Sequence, residues 1–473
     1  MKSIRWEVVR DSILLLGILT FSLPLKTPAI QSFLESILQI SFPIQLSTYT
    51  LFLPMWLGIT VLIHLLRIPE VWNQLKIPLL LMAMLFVWMW LGAWFSEWRG
   101  HSLKHAGRYT IHLLVFLTFL LLVRSQNFRS MTAVLLGWFL VVSGLTMAEQ
   151  LFADWQLQSW FASIGLGLEL HSNVRSGGLS SLFENQNPYG VISVALLGIS
   201  LFGVVQKQWF LGIAGALASV WGIVLSGSRN AILILIIYAV LILFAQFGRA
   251  TNRKKHYWKI FGGIGLFLIG VSVITLIFNP KVMMKSQQTW EELQFVSEFS
   301  QLEDIDPRFA LYRMAIEYGI QHPSFFGVGV KSFGYAVSEG ASGPMASVFQ
   351  SANETWNAHN ALLTIWVEMG WVGLFLALGF LTSWFWKCRR ASLWLMASVL
   401  TLCLGQILDY FIWQITFMTV QSLIFVLMAA SAKDIHLRDN EEGACLQFRQ
   451  MTAAIQWIFP LRSVFSTNLN GIL

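Results

Sequence analysis

Long apolar runs broken by short polar segments with arginine and lysine dominate the chain. A helix of about 20 apolar residues crosses the ~30 Å hydrocarbon layer of a bilayer. Windows of that length pick out stretches near 12–25, 49–66, 76–95, 109–123, 131–148, 190–205, 209–225, 230–247, 259–278, 361–386, 393–410 and 411–430. Several are shorter than a full crossing, so their helices are expected to extend into the flanks. A further run, Ala29 to Leu46, is interrupted by Glu35 and Pro43 and reads as a partial insertion or an extra span. The pattern predicts an all-α polytopic membrane protein with about twelve transmembrane helices, bounded by eleven and thirteen, and a large, partly helical exported loop.

Composition agrees: of 473 residues, 56% are apolar and only 12% charged, which excludes an ordinary soluble domain. Basic loops favour the cytoplasmic side of a membrane, and the richest are Gly248 to Lys259 and Lys387 to Arg390. Placing both inside also puts both ends of the chain, the Arg67 loop and the Arg124/Arg129 loop inside, if there are twelve crossings. The predicted organisation is N-terminal membrane helices over 1–148, membrane helices with a first long exported loop over 149–278, a large exported loop over 279–360, C-terminal membrane helices over 361–432 and a cytoplasmic tail over 433–473. In the large loop, acidic residues outnumber basic ones. The net charge of +7 therefore reads as topology and contact with anionic membrane lipids, with no nucleic-acid partner.

The first apolar run lacks a small-residue processing site and reads as retained. Cys388, Cys403 and Cys445 are scattered without metal-ligand spacing. The tail contains one amphipathic stretch, Cys445 to Phe465, that reads as lying on the membrane. The tripeptide beginning at Asn353 has the form of a glycosylation sequon but says nothing about function here.

Three helix starts are expected at the outer surface. Asn187-Pro188 has the pattern of an N-cap and a first-turn proline, Ser228 precedes Arg229 as an N-cap, and Asn357 or His359 opens a third helix. Such starts present unpaired N–H groups and the positive end of the helix dipole. An arginine in a first turn, as at Arg229, is disfavoured by that dipole unless an anion sits between them. It is also explained by snorkelling to water. Arg175, in a Gly/Ser-rich loop, is either solvated or a phosphate ligand. Arg308 and Arg313 either pair with Asp304, Asp306 or Glu317, or join an anion clamp; Arg313 and Glu317 stand at i,i+4. Together these arginines suit a diphosphate attached to a lipid, since the guanidinium fork pairs with phosphate oxygens.

His359 offers a general base, histidine being the side chain that exchanges protons nearest neutral pH. Its structural alternative is to cap its own helix or to bond across the helix interface. Gly370, eleven residues on, lies on the same helical face and is expected to admit the close approach of another helix. Trp356 and Trp366 read as an interfacial belt in preference to a sugar platform. The glycines of HPSFFGVGVKSFG are expected to shape a tight re-entry beside the membrane. Asp409 is the main ionisable exception within the spans.

At these residues the sequence resembles the O-antigen ligase and polymerase family of membrane glycosyltransferases. The resemblance rests on Arg229 with Leu233, His359 with Gly370, Arg175 with Asn187-Pro188, and RMAIEYGIQHPSFFGVG, which departs from the family's HPxxGxG by one inserted aromatic. It covers roughly Gly177 to Leu378. It implies a metal-independent, inverting transfer of a glycan from an undecaprenyl-diphosphate-type donor to a hydroxyl acceptor such as a glycolipid, at the periplasmic face of a bacterial inner membrane, without a cofactor. His359 and Arg229 are the implied catalytic pair, and Arg175, Arg308, Arg313, Asn187 and Asn357 the implied substrate-binding groups. A polymerase joining repeat units, an anion or solute transporter, and a non-catalytic glycan-binding or assembly subunit are the alternatives.

Overall fold

A computed structural model describes residues 2–23, 48–124, 127–151, 172–173, 178–179, 186–247, 270, 307–340, 357–409 and 414–432. Helices α1 (Lys2–Phe21), α2 (Thr48–Ile63), α3 (Ile68–Phe95), α4 (Arg99–Leu122) and α5 (Phe128–Leu151) come first. A two-residue antiparallel pair, Ser172–Asn173 with Gly178–Leu179, precedes α6 (Gln186–Val205), α7 (Trp209–Ser226) and α8 (Arg229–Phe247). Then follow α9 (Pro307–Gln321), α10 (Phe333–Gly340), α11 (Ala361–Lys387), α12 (Leu393–Leu408) and α13 (Ile415–Ser431).

Every expected span among the described residues is helical; 259–278 lies outside them apart from Gly270, as do the interrupted run from Ala29 to Leu46 and the tail after 432. The chain is a multi-pass membrane protein, but six of its described helical segments, not twelve, are long and apolar enough to cross a bilayer alone. Four others, Phe52–Ile63, Arg229–Ile242, Leu393–Leu408 and Thr416–Ser431, are apolar but short. At 1.5 Å per residue a 16-residue helix reaches only about 24 Å. The first half of α1 is charged, at Arg5, Glu7, Arg10 and Asp11.

Helix α6 is the hub, packed against α7, α8 and α12 and buried along nearly its whole length. Small residues make this approach feasible, as expected where lipid supplies no hydrophobic drive between helices. Gly190 faces Ser226 and Ala231, Gly198 faces Ser398 and Tyr238, and a methyl group added at either would overlap those neighbours. The Ser398 hydroxyl donates across the interface to the Ala195 carbonyl at 2.9 Å.

A separate small core of Leu311, Ala315, Phe333, Val337, Ala358 and Val367 joins α9 and α10 to the first turns of α11. The large loop thus has its own packed helical part, as the apolar text around Arg308 to Ile320 predicts.

Helix α11 breaks at Gly370, which takes φ 68° and ψ −173°. Helix α3 does pack along α11 beside this point, but it is not what fills the space at Gly370 itself. The neighbour is the loop after α9, whose Ser324 and Phe325 carbonyls occupy the space a Cβ would need. The break frees carbonyls that this loop then satisfies: Val328 N–H donates to Val367 O at 2.9 Å and Gly329 N–H to Glu368 O at 3.0 Å. Trp88 of α3 donates its indole N–H to Met369 O at 2.9 Å and stacks on Phe326, ring centres 4.4 Å apart. Gly327 and Gly329 both have positive φ, so these two glycines do give the loop a tight turn, whereas Gly334 lies within α10.

Candidate functional site

Asp409 follows the last residue of α12 and is buried. Three side chains from distant parts of the chain converge on it. His359 Nδ1 lies 2.8 Å from Oδ1. Asn187 Nδ2 donates to Oδ2 at 2.8 Å and Arg308 Nη2 donates to the same oxygen at 3.3 Å. A carboxylate only accepts, so Nδ1 of His359 carries a proton, and in the neutral ring Nε2 presents the lone pair. The His359 side chain is 34% exposed while that of Asp409 is 5% exposed, so the ring is reachable by a substrate and its anchor is not.

The histidine is held in an unusual backbone conformation, φ 47°, sparsely populated for a residue with a Cβ. Asn357 stabilises it by accepting the His359 N–H at 2.8 Å. The cap of α11 is neither Asn357 nor His359 but Asn360, whose Oδ1 accepts from Leu362 N at 2.9 Å and Leu363 N at 3.1 Å. This division leaves the His359 ring uncommitted to capping.

Ser228 caps α8 as expected, its hydroxyl oxygen accepting the Ala231 N–H at 3.3 Å. The same hydroxyl donates to Asn187 Oδ1 at 2.9 Å. Asn187 is therefore not the cap of α6, which starts one residue earlier at Gln186; its amide bridges Ser228 to Asp409. Pro188 sits in the first turn, where a missing N–H costs nothing. The starts of α6, α8 and α11 thus meet through one chain of hydrogen bonds, Ser228 to Asn187 to Asp409 to His359.

Arg229 follows Ser228 in the first turn of α8 and is half-buried. Arg308 pairs with Asp409, not with Glu317 on its own helix. Arg313 is exposed, and its Nε stands 3.9 Å from Glu317 Oε1, the i,i+4 pair that spacing allows. Arg175, Asp304, Asp306 and Trp356 lie outside the described residues. Asp409 was the residue whose role sequence missed. An ionisable group at the end of an apolar helix is itself a signal of function.

The loop before α10 is fixed against α4. Lys331 is buried with φ 60°; burial pushes its ammonium below the usual lysine range, and the Glu368 carboxylate opposes that shift. The Lys331 carbonyl stands 3.1 Å from His101 Nε2, and Ser102 and Ser332 hydroxyls are 2.8 Å apart. A separate cavity of about 260 Å³, mostly apolar and walled by α3, α4, α11 and α13, does not reach the Asp409 cluster. Among the described residues, no three His, Cys, Asp or Glu side chains are grouped to hold a metal ion.

The arrangement is that of a membrane-embedded helical protein with an oriented imidazole beside a guanidinium. Residues 214–378, about a third of the chain, match the family model Wzy_C, described as O-antigen ligase. Arg229, Arg308, His359 and Gly370 fall inside the matched segment, whereas Asn187 and Asp409 lie outside it. No curated protein matches the chain.

Proposed function

We propose that the protein is an O-antigen ligase-like glycosyltransferase that moves a glycan from a lipid diphosphate of the undecaprenyl type to a hydroxyl acceptor such as a glycolipid. The observation that carries this reading is the 2.8 Å contact of His359 Nδ1 with Asp409, which leaves Nε2 as the basic nitrogen, in a chain whose central segment matches the O-antigen ligase model.

In this reading Nε2 of His359 takes the proton of the acceptor hydroxyl as its oxygen attacks the anomeric carbon. The new C–O bond forms as the bond to the diphosphate breaks, and the departing diphosphate takes the electron pair. Direct displacement inverts the anomeric centre. Asp409 stabilises the imidazolium that results and keeps the ring in one tautomer. Arg229 and Arg308 neutralise charge growing on the leaving group, the contribution expected to lower the barrier most. A guanidinium offers five N–H donors, so pairing with Asp409 through Nη2 and binding a phosphate oxygen are compatible. Arg175 and Arg313 extend the anion clamp, and Asn187 and Asn357 shape it. The reaction needs no metal or cofactor, and the proton leaves with the diphosphate or through water.

The proposed topology has about twelve crossings, with both termini cytoplasmic and the site at the periplasmic face of the inner membrane. Purified protein is incubated with a defined lipid-diphosphate glycan and candidate acceptors, and the products are weighed by mass spectrometry. A glycan joined to the acceptor supports the ligase. Ladders of repeat units indicate a polymerase using the same chemistry. No product from any pairing overturns the transferase reading.

A further inference from the structure

A second, polar pocket of about 220 Å³ opens within two turns of Asn360 on α11, between the α3–α4 corner and the loop that follows α9. The residues that line it include Trp98, Trp366, Tyr318 and His322, with Glu97 and Ser324 among the polar ones. Three separately folded segments build it, and each is tied in place. Trp366 lies across Gly319, where a Cβ would come within 2.8 Å of the indole. Trp98 stacks on Tyr335 with ring centres 5.8 Å apart, and Tyr318 meets His322 at 4.7 Å. The Ser96 hydroxyl donates to the Val328 carbonyl, fastening the corner to the loop. Trp366 thus forms part of a pocket wall.

The lining says what would fit. It carries one carboxylate and neither lysine nor arginine, so it repels phosphate, in contrast to the arginines assigned to the diphosphate. Aromatic planes attract the polarised C–H face of a flat ring through their negative π-faces, while a carboxylate and hydroxyl accept from groups on the ring's edge. A pyranose has that split character, apolar C–H above and below and hydroxyls around the rim. The volume falls below the ~300 Å³ at which drug-sized ligands are usually enclosed, which suits one ring and not an oligosaccharide or a lipid tail.

We propose that this pocket is a subsite for one uncharged sugar ring of the glycan, and its ligand class rests on the transferase reading. The ring belongs either to the donor glycan or to the acceptor, since both present the same chemistry here.

The test uses the full-length protein in lipid nanodiscs and saturation-transfer difference NMR. The probes are the methyl pyranosides of glucose, galactose, mannose, rhamnose and N-acetylglucosamine. At least one is expected to receive saturation on its ring C–H protons, with Kd raised tenfold or more in both Glu97→Gln and Trp98→Ala. Glu97 is exposed, so its amide variant keeps the fold even if Trp98→Ala loosens the corner. No saturation of any of the five sugars, or equal affinity in wild type and Glu97→Gln, overturns the proposal. Steady-state transfer then separates the sources: Glu97→Gln raises KM for the donor alone if the ring is the donor's and for the acceptor alone if it is the acceptor's. An unchanged KM for both overturns the subsite. Sugar binding without turnover by wild type overturns the transferase reading instead and leaves the sugar pocket standing.

Discussion

His359 and Asp409, fifty residues apart in sequence, share a 2.8 Å contact between Nδ1 and Oδ1, and the carboxylate's other oxygen accepts from Asn187 and Arg308. The carboxylate therefore sets both the tautomer and the direction of the ring. Asp409→Asn keeps the shape but lets the amide offer an N–H to Nδ1, which favours the tautomer with its proton on Nε2. Transfer is expected to fall roughly 10²- to 10⁴-fold in kcat with little change in donor KM. Single-turnover kinetics on the purified variant checks this; a wild-type kcat would show that Asp409 only packs. His359→Gln should be at least as impaired, whereas Asp409→Glu should recover part of the rate.

Arg229 stands in the first turn of α8 directly after its cap Ser228, which hydrogen-bonds Asn187. If its task is to hold a developing charge, geometry matters as well as sign. Arg229→Ala is expected to lose roughly 10²-fold or more in kcat/KM, and Arg229→Lys to recover little, because an ammonium lacks the planar fork. Titration with the lipid-diphosphate donor separates binding from turnover. Full activity in Arg229→Lys would assign the side chain to snorkelling.

Much of the site was legible because its parts are local. Ser228 before Arg229 reads as a cap within four residues, and hydropathy alone locates each described membrane helix. The pairings were not legible. Hydropathy fixes where a helix runs but not which neighbour it meets, so the bond from Asn187 to Asp409, 222 positions away, left no local mark. Spacing offered Arg308 acids nearby in sequence or a place in an anion clamp, and gave no hint of its bond to Asp409, 101 positions on. Asn187 was misread as a cap because the Asn-Pro dipeptide has the right pattern, yet the helix begins at Gln186 and frees the amide to bridge. Gly370 signalled close approach, but the sequence alone could not show that a positive φ would turn that approach into a helix break filled by a loop.

That break makes Gly370 a sensitive position. At φ 68° a side chain is strained, and its Cβ would collide with the Ser324 and Phe325 carbonyls. Gly370→Ala is expected to cost more than the ~1 kcal/mol usual for placing Ala where glycine's positive φ is needed, seen as a lower unfolding midpoint in detergent. Since Val328 and Gly329 would lose their partners on α11, the pocket beside Trp366 should loosen as well. Trp88→Phe removes the hydrogen bond to Met369 O and shrinks the ring stacked on Phe326, and should cost at least about 1 kcal/mol. Equal stability in Gly370→Ala and wild type would mean that the helix is continuous.

Not every buried acid here serves the chemistry, and Asp11 provides the contrast. It is 1% exposed within α1 and accepts from Arg10 Nη2 at 2.9 Å, Arg124 Nη2 at 3.0 Å and Asn127 Nδ2 at 3.0 Å, with His64 Nε2 at 3.3 Å. These bonds tie α1 to the end of α4 and the start of α5. Removing one member of such a buried network strands the others, at a cost of about 3–5 kcal/mol. Asp11→Ala is therefore expected to lower the yield of folded protein and its unfolding midpoint in detergent. Transfer per folded molecule should stay within about twofold, because Asp11 touches none of the groups around Asp409. The two variants should separate cleanly when active-site titration is set beside a thermal melt: Asp409→Asn loses turnover at near-native stability, and Asp11→Ala loses stability at near-native turnover. The reverse pattern would place the proton acceptor at the Asp11–Arg124 end of the bundle.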